Sequence, residues 1–246
     1  MEIFTAAGFA ALLQVMAIDL VLAGDNAVVI GLAAAGLAKE QRSRAILIGI
    51  AAATILRIIF ALIVTYLLGV PYLKVIGGIL LFWIAIKLAV GEEEAHSNIE
   101  ASESLWKAVR TIAIADAVMS LDNVIAIAAA SRGHAELFIF GLLLSIPLII
   151  MGAQLLTSLI ERFPILVWLG AALLGWIAAE MILGDIAVLR WLQANWPTWV
   201  MPVAADVNPL GIGPANVSHY VAAVIGAVFV CIVGYILKKK PVDQPG

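Results

Sequence analysis

Ile18-Asp19-Leu20-Val21-Leu22-Ala23-Gly24-Asp25-Asn26-Ala27-Val28 lies in one hydrophobic stretch of the chain. Ala115-Asp116-Ala117-Val118-Met119-Ser120-Leu121-Asp122-Asn123-Val124-Ile125 lies in another, 97 residues on. Both read D-x5-D-N and run on into aliphatic, Ala-rich sequence. A membrane-spanning helix needs about 20 mostly apolar residues. Working outward from the two motifs, seven stretches qualify: roughly 7–35, 45–69, 71–90, 111–131, 137–160, 164–184 and 219–237. The glycines and prolines within them are tolerated in membrane bundles. The offset that superposes the motifs also places the second stretch on the fifth, the third on the sixth, and Arg57 on Gln154.

A repeat of three helices crosses the membrane an odd number of times, so its second copy enters the other way up. The expected fold is therefore all-α: a polytopic membrane helix bundle of seven transmembrane helices, arranged as a 3+3 inverted repeat plus one. The divisions are 1–90 for the first repeat, 91–110 for an acidic cytoplasmic linker containing Glu92, Glu93 and Glu94, and 111–184 for the second repeat. Residues 185–218 form an interfacial loop with Trp191, Trp196 and Trp199, and 219–246 hold the seventh helix and a Lys-rich tail. In many secondary transporters inverted repeats meet at an axis in the membrane plane, with substrate and coupling-ion sites beside it.

Composition agrees with a bilayer as solvent. Of 246 residues, 64% are apolar and 13% charged, and the net charge of −3 gives no basic surface for nucleic acid. The single cysteine, Cys231, excludes an internal disulfide and a Cys-rich metal site. The first residues lack the pattern of a secretory signal, since Glu2 stands where a basic region belongs. With the N-terminus outside, Lys39, Arg42, Arg44, Lys87, Lys107, Arg110, Arg162, Lys238, Lys239 and Lys240 fall on the inner side. Lys74, Arg132 and Arg190 then fall on the outer side, and this excess predicts N-out, C-in; the lack of a targeting pattern and the compact single-domain form point to a bacterial inner membrane.

The acidic motifs carry the chemistry. One aspartate at a helix centre costs about 2.5–3.5 kcal/mol, so four standing alone would cost roughly 10–14 kcal/mol. Arg57 is the evident basic partner at that depth and is expected to pair with at most one or two of them. The rest must be protonated, hydrated or bound to a cation. The candidate ligands are Asp19, Asp25, Asn26, Asp116, Asp122 and Asn123, an all-oxygen set suited to Mg²⁺, Ca²⁺ or Mn²⁺. Low dielectric favours the protonated carboxyl, so metal and protons compete for the same groups. Asp19 and Asp25 are about 120° apart on an ideal helix and share a face only if the helix yields near Gly24. The fourth stretch has Ser120-Leu121 there instead, which suggests a weaker break.

Other polar residues in the spans carry less. Arg57 reads as a counter-ion or as a link to a backbone carbonyl. Gln154 reads as an interhelical hydrogen-bond donor. Glu180 reads as a second proton site or gate, or as an interfacial residue. Lys74 and Lys87 read as snorkelling side chains. Gly77, Gly78, Gly170 and Gly175 read as close helix-packing positions, and the Ser and Thr residues carry no readable chemistry.

The two D-x5-D-N motifs with seven spans resemble the TerC (tellurium-resistance) family of integral membrane proteins, of the lysine-exporter-like superfamily. The resemblance covers about residues 7–185. It implies manganese efflux, with some members serving metalation of exported enzymes, and it implies that the six motif residues form the metal path. Tellurite itself does not fit, because four carboxylates repel an anion. The expected function is secondary transport that exports Mn²⁺ in exchange for protons, with no permanently bound cofactor, no enzymatic activity and no ATP motif. The partners are the lipid bilayer, the divalent cation and protons. The alternatives are Ca²⁺ transport and a membrane scaffold supporting metalation of secreted proteins.

Overall fold

The backbone of a span has no water to bond with, so it must satisfy its own N–H and C=O groups, and the helix is the local solution. The computed structural model describes residues 13, 24–67, 70–90, 101–130, 135–203, 208 and 210–238. Its long elements are helices α1 (Gly24–Ala35), α2 (Lys39–Leu67), α3 (Leu73–Val90), α4 (Ala101–Ala130), α5 (Ala135–Arg162), α6 (Ile165–Leu183), α7 (Ile186–Asn195) and α8 (Asn216–Lys238). Four described segments are long and apolar enough to cross a membrane: Lys39–Phe60, Leu73–Val90, Ile165–Leu183 and Asn216–Lys238. Much of their apolar surface is exposed, as in Ile55, Ile76, Trp83, Leu169 and Ile225, and is suited to lipid. The chain is an all-α membrane helix bundle.

The chain folds as two compact units, residues 1–69 with 100–162 and residues 70–99 with 163–246. In the first, α2 packs along α4 and α1 along α5, while α1 also meets α4 and α2 meets α5. The core is aliphatic: Ile30 and Ala34 of α1, Ile46 and Ile50 of α2, Ile112 of α4, and Ile149 and Ala153 of α5. Small residues permit the approach. A Cβ on Gly49 would stand 2.8 Å from Ile112 Cγ2, and one on Gly31 would stand 3.1 Å from Leu156 Cδ2.

One end of this unit is fastened by Arg42. Its guanidinium donates to the carbonyls of Ala35 at 3.2 Å and Leu37 at 2.8 Å, at and just past the end of α1, and it also pairs with Glu161 near the end of α5. Beside it, Leu37 and Ala45 pack on Ala108 and Val109, with Leu105 alongside. This contact explains why α4 begins at Ala101, ten residues before the expected span. Leu105, Ala108, Val109 and Ile112 keep helical spacing, so the second half of the stretch read as a linker continues the buried face of α4.

In the second unit α3, α6 and α8 pack on one another. A Cβ on Gly78 would lie 2.7 Å from the carbonyl oxygen of Ala178, and one on Gly175 would lie 2.5 Å from that of Gly226. Gly78 and Gly175 are thus packing positions, as their place in the spans suggests. The described residues of 185–218 are not a plain loop. They hold α7, a short 3-10 turn (Pro197–Trp199), and a hairpin of strands β1 (Val200–Pro202) and β2 (Ile212–Pro214), in which Met201 pairs with Gly213. Trp191, Trp196 and Trp199 form a chain of ring contacts, with centroids 5.8 and 5.3 Å apart. Trp191 and Trp196 are exposed, as aromatic side chains at a membrane–water boundary are.

Candidate cation site

Asp116 lies halfway along α4, four residues before Ser120, so the two side chains share a helical face. That face meets α2, which presents Arg57. The side chains form a closed ring. Arg57 Nη2 donates to Asp116 Oδ1 at 2.7 Å, Arg57 Nε donates to Ser120 Oγ at 3.1 Å, and the Ser120 hydroxyl donates to Asp116 Oδ2 at 3.1 Å. All three residues are buried, with Arg57 and Asp116 each 5% exposed and Ser120 fully enclosed. Two charges removed from water require this geometry, because each must find in the other, and in nearby dipoles, what solvent supplied.

Arg57 is thus paired with a carboxylate, and that partner is an aspartate of the second motif. Ser120 was not visible as a functional residue from composition, since a serine in a span usually only packs or bonds its own helix. The signal available was its i+4 spacing from Asp116. Gln154, at the position equivalent to Arg57, donates to Ser43 Oγ at 3.4 Å on the exposed surface between α5 and α2.

Of the other motif residues, Asn26 is buried near the start of α1, on the helix that meets α4. Asp19 lies outside the described residues, as do the side chains of Asp25, Asp122 and Asn123. The backbone of α4 is helical without interruption through Asp116, Asp122 and Asn123. The break weighed near Ser120 does not occur, and Asp116 and Asp122 stay about 120° apart around α4. Among the described residues no three Asp, Glu, His or Cys side chains converge.

Glu180 belongs to the other unit. Its Oε1 lies 2.9 Å from His219 Nε2 at the start of α8 and accepts from the indole N–H of Trp176. Tyr220 packs edge-on against both Trp176 and His219. The group is half-buried and joins the end of α6 to the beginning of α8. His219 carried no signal in the sequence. Lys87 places Nζ 4.6 Å from the Trp83 ring centroid, which satisfies a snorkelling ammonium.

Asp185 is a further carboxylate with a structural task. It is buried, accepts from Ala187 N at 2.8 Å as the N-cap of α7, and accepts from Lys74 N at 3.1 Å and Val75 N at 3.4 Å at the start of α3.

Comparison with known proteins bears on the whole chain. The model of the "Integral membrane protein TerC family" matches residues 4–241. The uncharacterized membrane protein YjbE of Bacillus subtilis (strain 168) is 44% identical over 174 residues, which are 71% of this chain and 79% of that protein. YceF of the same organism is 30% identical over 65% of each chain. The inner membrane protein YoaE of Escherichia coli (strain K12) is 25% identical over 71% of this chain and 37% of its own length. No solved structure matches. The family model spans both motifs and every described helix, so the chain belongs to the TerC family of integral membrane proteins.

Proposed function

We propose that this protein is a secondary transporter that exports Mn²⁺ across the bacterial plasma membrane in exchange for protons. The observation that carries the reading is Asp116: a carboxylate buried in the middle of α4, within a motif that the chain holds twice. Buried intramembrane charge is costly and serves ion pathways far more often than packing. The oxygen-rich ligand set favours a hard divalent cation, and the carboxyls' capacity to take protons supplies the exchange.

The helix pairings support an inverted repeat. Exchanging the two halves turns the α2–α4 contact into the α5–α1 contact, and both are present. A site near the axis relating the halves draws on both motifs, Asp19, Asp25 and Asn26 from one and Asp116, Asp122 and Asn123 from the other. The excess of Lys and Arg at the Arg42 end supports an N-out, C-in arrangement.

The test is flux. Purified protein in liposomes containing a metal-sensitive dye is given Mn²⁺ and an imposed pH gradient, and wild type is compared with Asp25→Asn and Asp122→Asn. The reading expects Mn²⁺ uptake that depends on the gradient and is lost in both variants. Unchanged flux in both variants overturns the site. Ca²⁺ entering in place of Mn²⁺ reassigns the ion, and absence of any flux by wild type favours the scaffold.

A further inference from the structure

The Arg57–Asp116–Ser120 ring has a property that a plain counter-ion pair lacks: it engages both oxygens of the carboxylate. Each oxygen of Asp116 accepts a hydrogen bond, one from a guanidinium and one from a hydroxyl, and the residue is almost closed to its surroundings. A divalent cation ligated by Asp116 would stand within one carboxylate's width of a fixed positive charge, in a medium that screens little. Arg57 on Asp116 and a cation on Asp116 therefore exclude each other. The guanidinium cannot leave this conflict by losing its proton, because arginine stays charged in proteins.

The ring is not repeated in the sequence of the other half. At the offset of 97 residues, Arg57 corresponds to Gln154 and Ser120 to Ala23, which supply neither charge nor hydroxyl. Helices α1 and α5 pack together as α2 and α4 do, and Gln154 bonds Ser43 on the surface. The charge was placed in one half only, beside a carboxylate of the motif.

We propose that Arg57 is a tethered competitor for the transported cation. It occupies Asp116, is displaced when a divalent cation takes that carboxylate, and returns when the cation leaves. It thereby lowers the affinity of the site enough for release, and it keeps Asp116 from remaining a bare buried charge between turnovers. Ser120 is a positioning residue that braces the guanidinium against Asp116. The proposal rests on the cation-transport reading and assigns a regulator to that same site.

The sign of one measurement separates competition from structural support. Mn²⁺ binding to the purified full-length protein in nanodiscs is followed by calorimetry for wild type, Arg57→Gln, Arg57→Lys, Ser120→Ala, Asp116→Asn and the Arg57→Gln/Asp116→Asn double variant. Competition expects Arg57→Gln to bind Mn²⁺ more tightly, by about tenfold. Arg57→Lys should stay near wild type, Ser120→Ala should tighten binding by a smaller factor, and the gain should vanish in the double variant. Binding by wild type that is unchanged or weakened in Arg57→Gln overturns the proposal and leaves the transport reading standing. If Arg57→Gln does not fold, Ser120→Ala decides: tighter binding supports competition, and unchanged or weaker binding overturns it. Absence of Mn²⁺ and Ca²⁺ binding by wild type overturns the transport reading itself, and the proposal with it.

Discussion

Asp185 accepts a hydrogen bond from the backbone N–H of Tyr72, 113 residues earlier in the chain, at 3.1 Å. Tyr72 has φ of 65°, a left-handed conformation that costs a residue with a Cβ about 1–2 kcal/mol. The same carboxylate reaches the first backbone donors of α3 and caps α7. One buried side chain thus fixes the turn before α3, the start of α3 and the turn after α6.

Replacing Asp185 with alanine strands several N–H groups at once. Asp185→Ala should destabilise the protein by about 2–4 kcal/mol, and Asp185→Asn by less, since an amide oxygen still accepts. Thermal unfolding in detergent, followed by tryptophan fluorescence, measures this. Mn²⁺ affinity below the transition should be unaltered, because Asp185 lies outside the unit that holds Asp116.

The second unit should be sensitive to side-chain volume at Gly175. A Cβ there would meet the carbonyl oxygen of Gly226 at 2.5 Å and Val230 Cγ2 at 2.6 Å, and helix backbone cannot yield cheaply. Gly175→Leu should cost about 3 kcal/mol or abolish folding, as overpacking does. Gly152 is the control, for a Cβ there meets nothing within 4 Å. Gly152→Ala should be neutral or gain up to about 1 kcal/mol from helix propensity. Equal losses for the two would contradict the α6–α8 contact.

The Arg42–Glu161 pair predicts a pH dependence. Its hydrogen bond to Arg42, followed by the charges of Arg42 and Lys39, holds the Glu161 carboxyl below its ordinary value of 4.5. A depressed folded-state pKa contributes stability above the unfolded value, and that contribution is lost as pH falls through the folded value. The difference in melting temperature between wild type and Glu161→Gln should be constant near neutrality and shrink in acid below about 4.5. Glu161 is exposed and Arg42 half-buried, so added salt should reduce the difference at neutral pH as well.

Breaking the buried pair should cost more than removing it. Asp116→Asn leaves Arg57 without its carboxylate and should destabilise by about 3–5 kcal/mol. The Arg57→Gln/Asp116→Asn double variant should lose less than the sum of the single losses, with a coupling of roughly 1–3 kcal/mol. Additive losses in equilibrium unfolding would show that the two residues do not act together.

The spans were legible because an apolar run bounded by polar residues leaves little choice. Leu73–Val90, Ile165–Leu183 and Asn216–Lys238 begin and end within a few residues of where hydropathy places them. The start of α4 was not legible, since Ser102, Glu103, Ser104, Lys107 and Arg110 mask an apolar face that only the contact with Leu37 and Ala45 reveals. At the site, spacing marked the polar residues of the spans but not their pairing. Which aspartate Arg57 meets is decided by α2 packing on α4, a tertiary choice that no local pattern encodes. Ser120 shows the same limit from the other side, because its i+4 relation to Asp116 gains meaning only once a guanidinium bridges them.

The division of the chain into units does not follow the order of the sequence. The first unit is left at residue 69, resumed at 100 and left again at 162, so α3 is synthesised between its two parts. Domains made of continuous sequence can fold as they emerge, the N-terminal one first. Here α1 and α2 enter the bilayer long before α4 and α5 exist to cover Ile30, Ile46 and Ile50, and α3 must wait in lipid for α6. Until then the guanidinium of Arg57 sits in a nascent helix whose carboxylate has not been translated. The insertion machinery must shelter that charge for the time it takes to add some sixty more residues, the separation of Arg57 and Asp116 being 59.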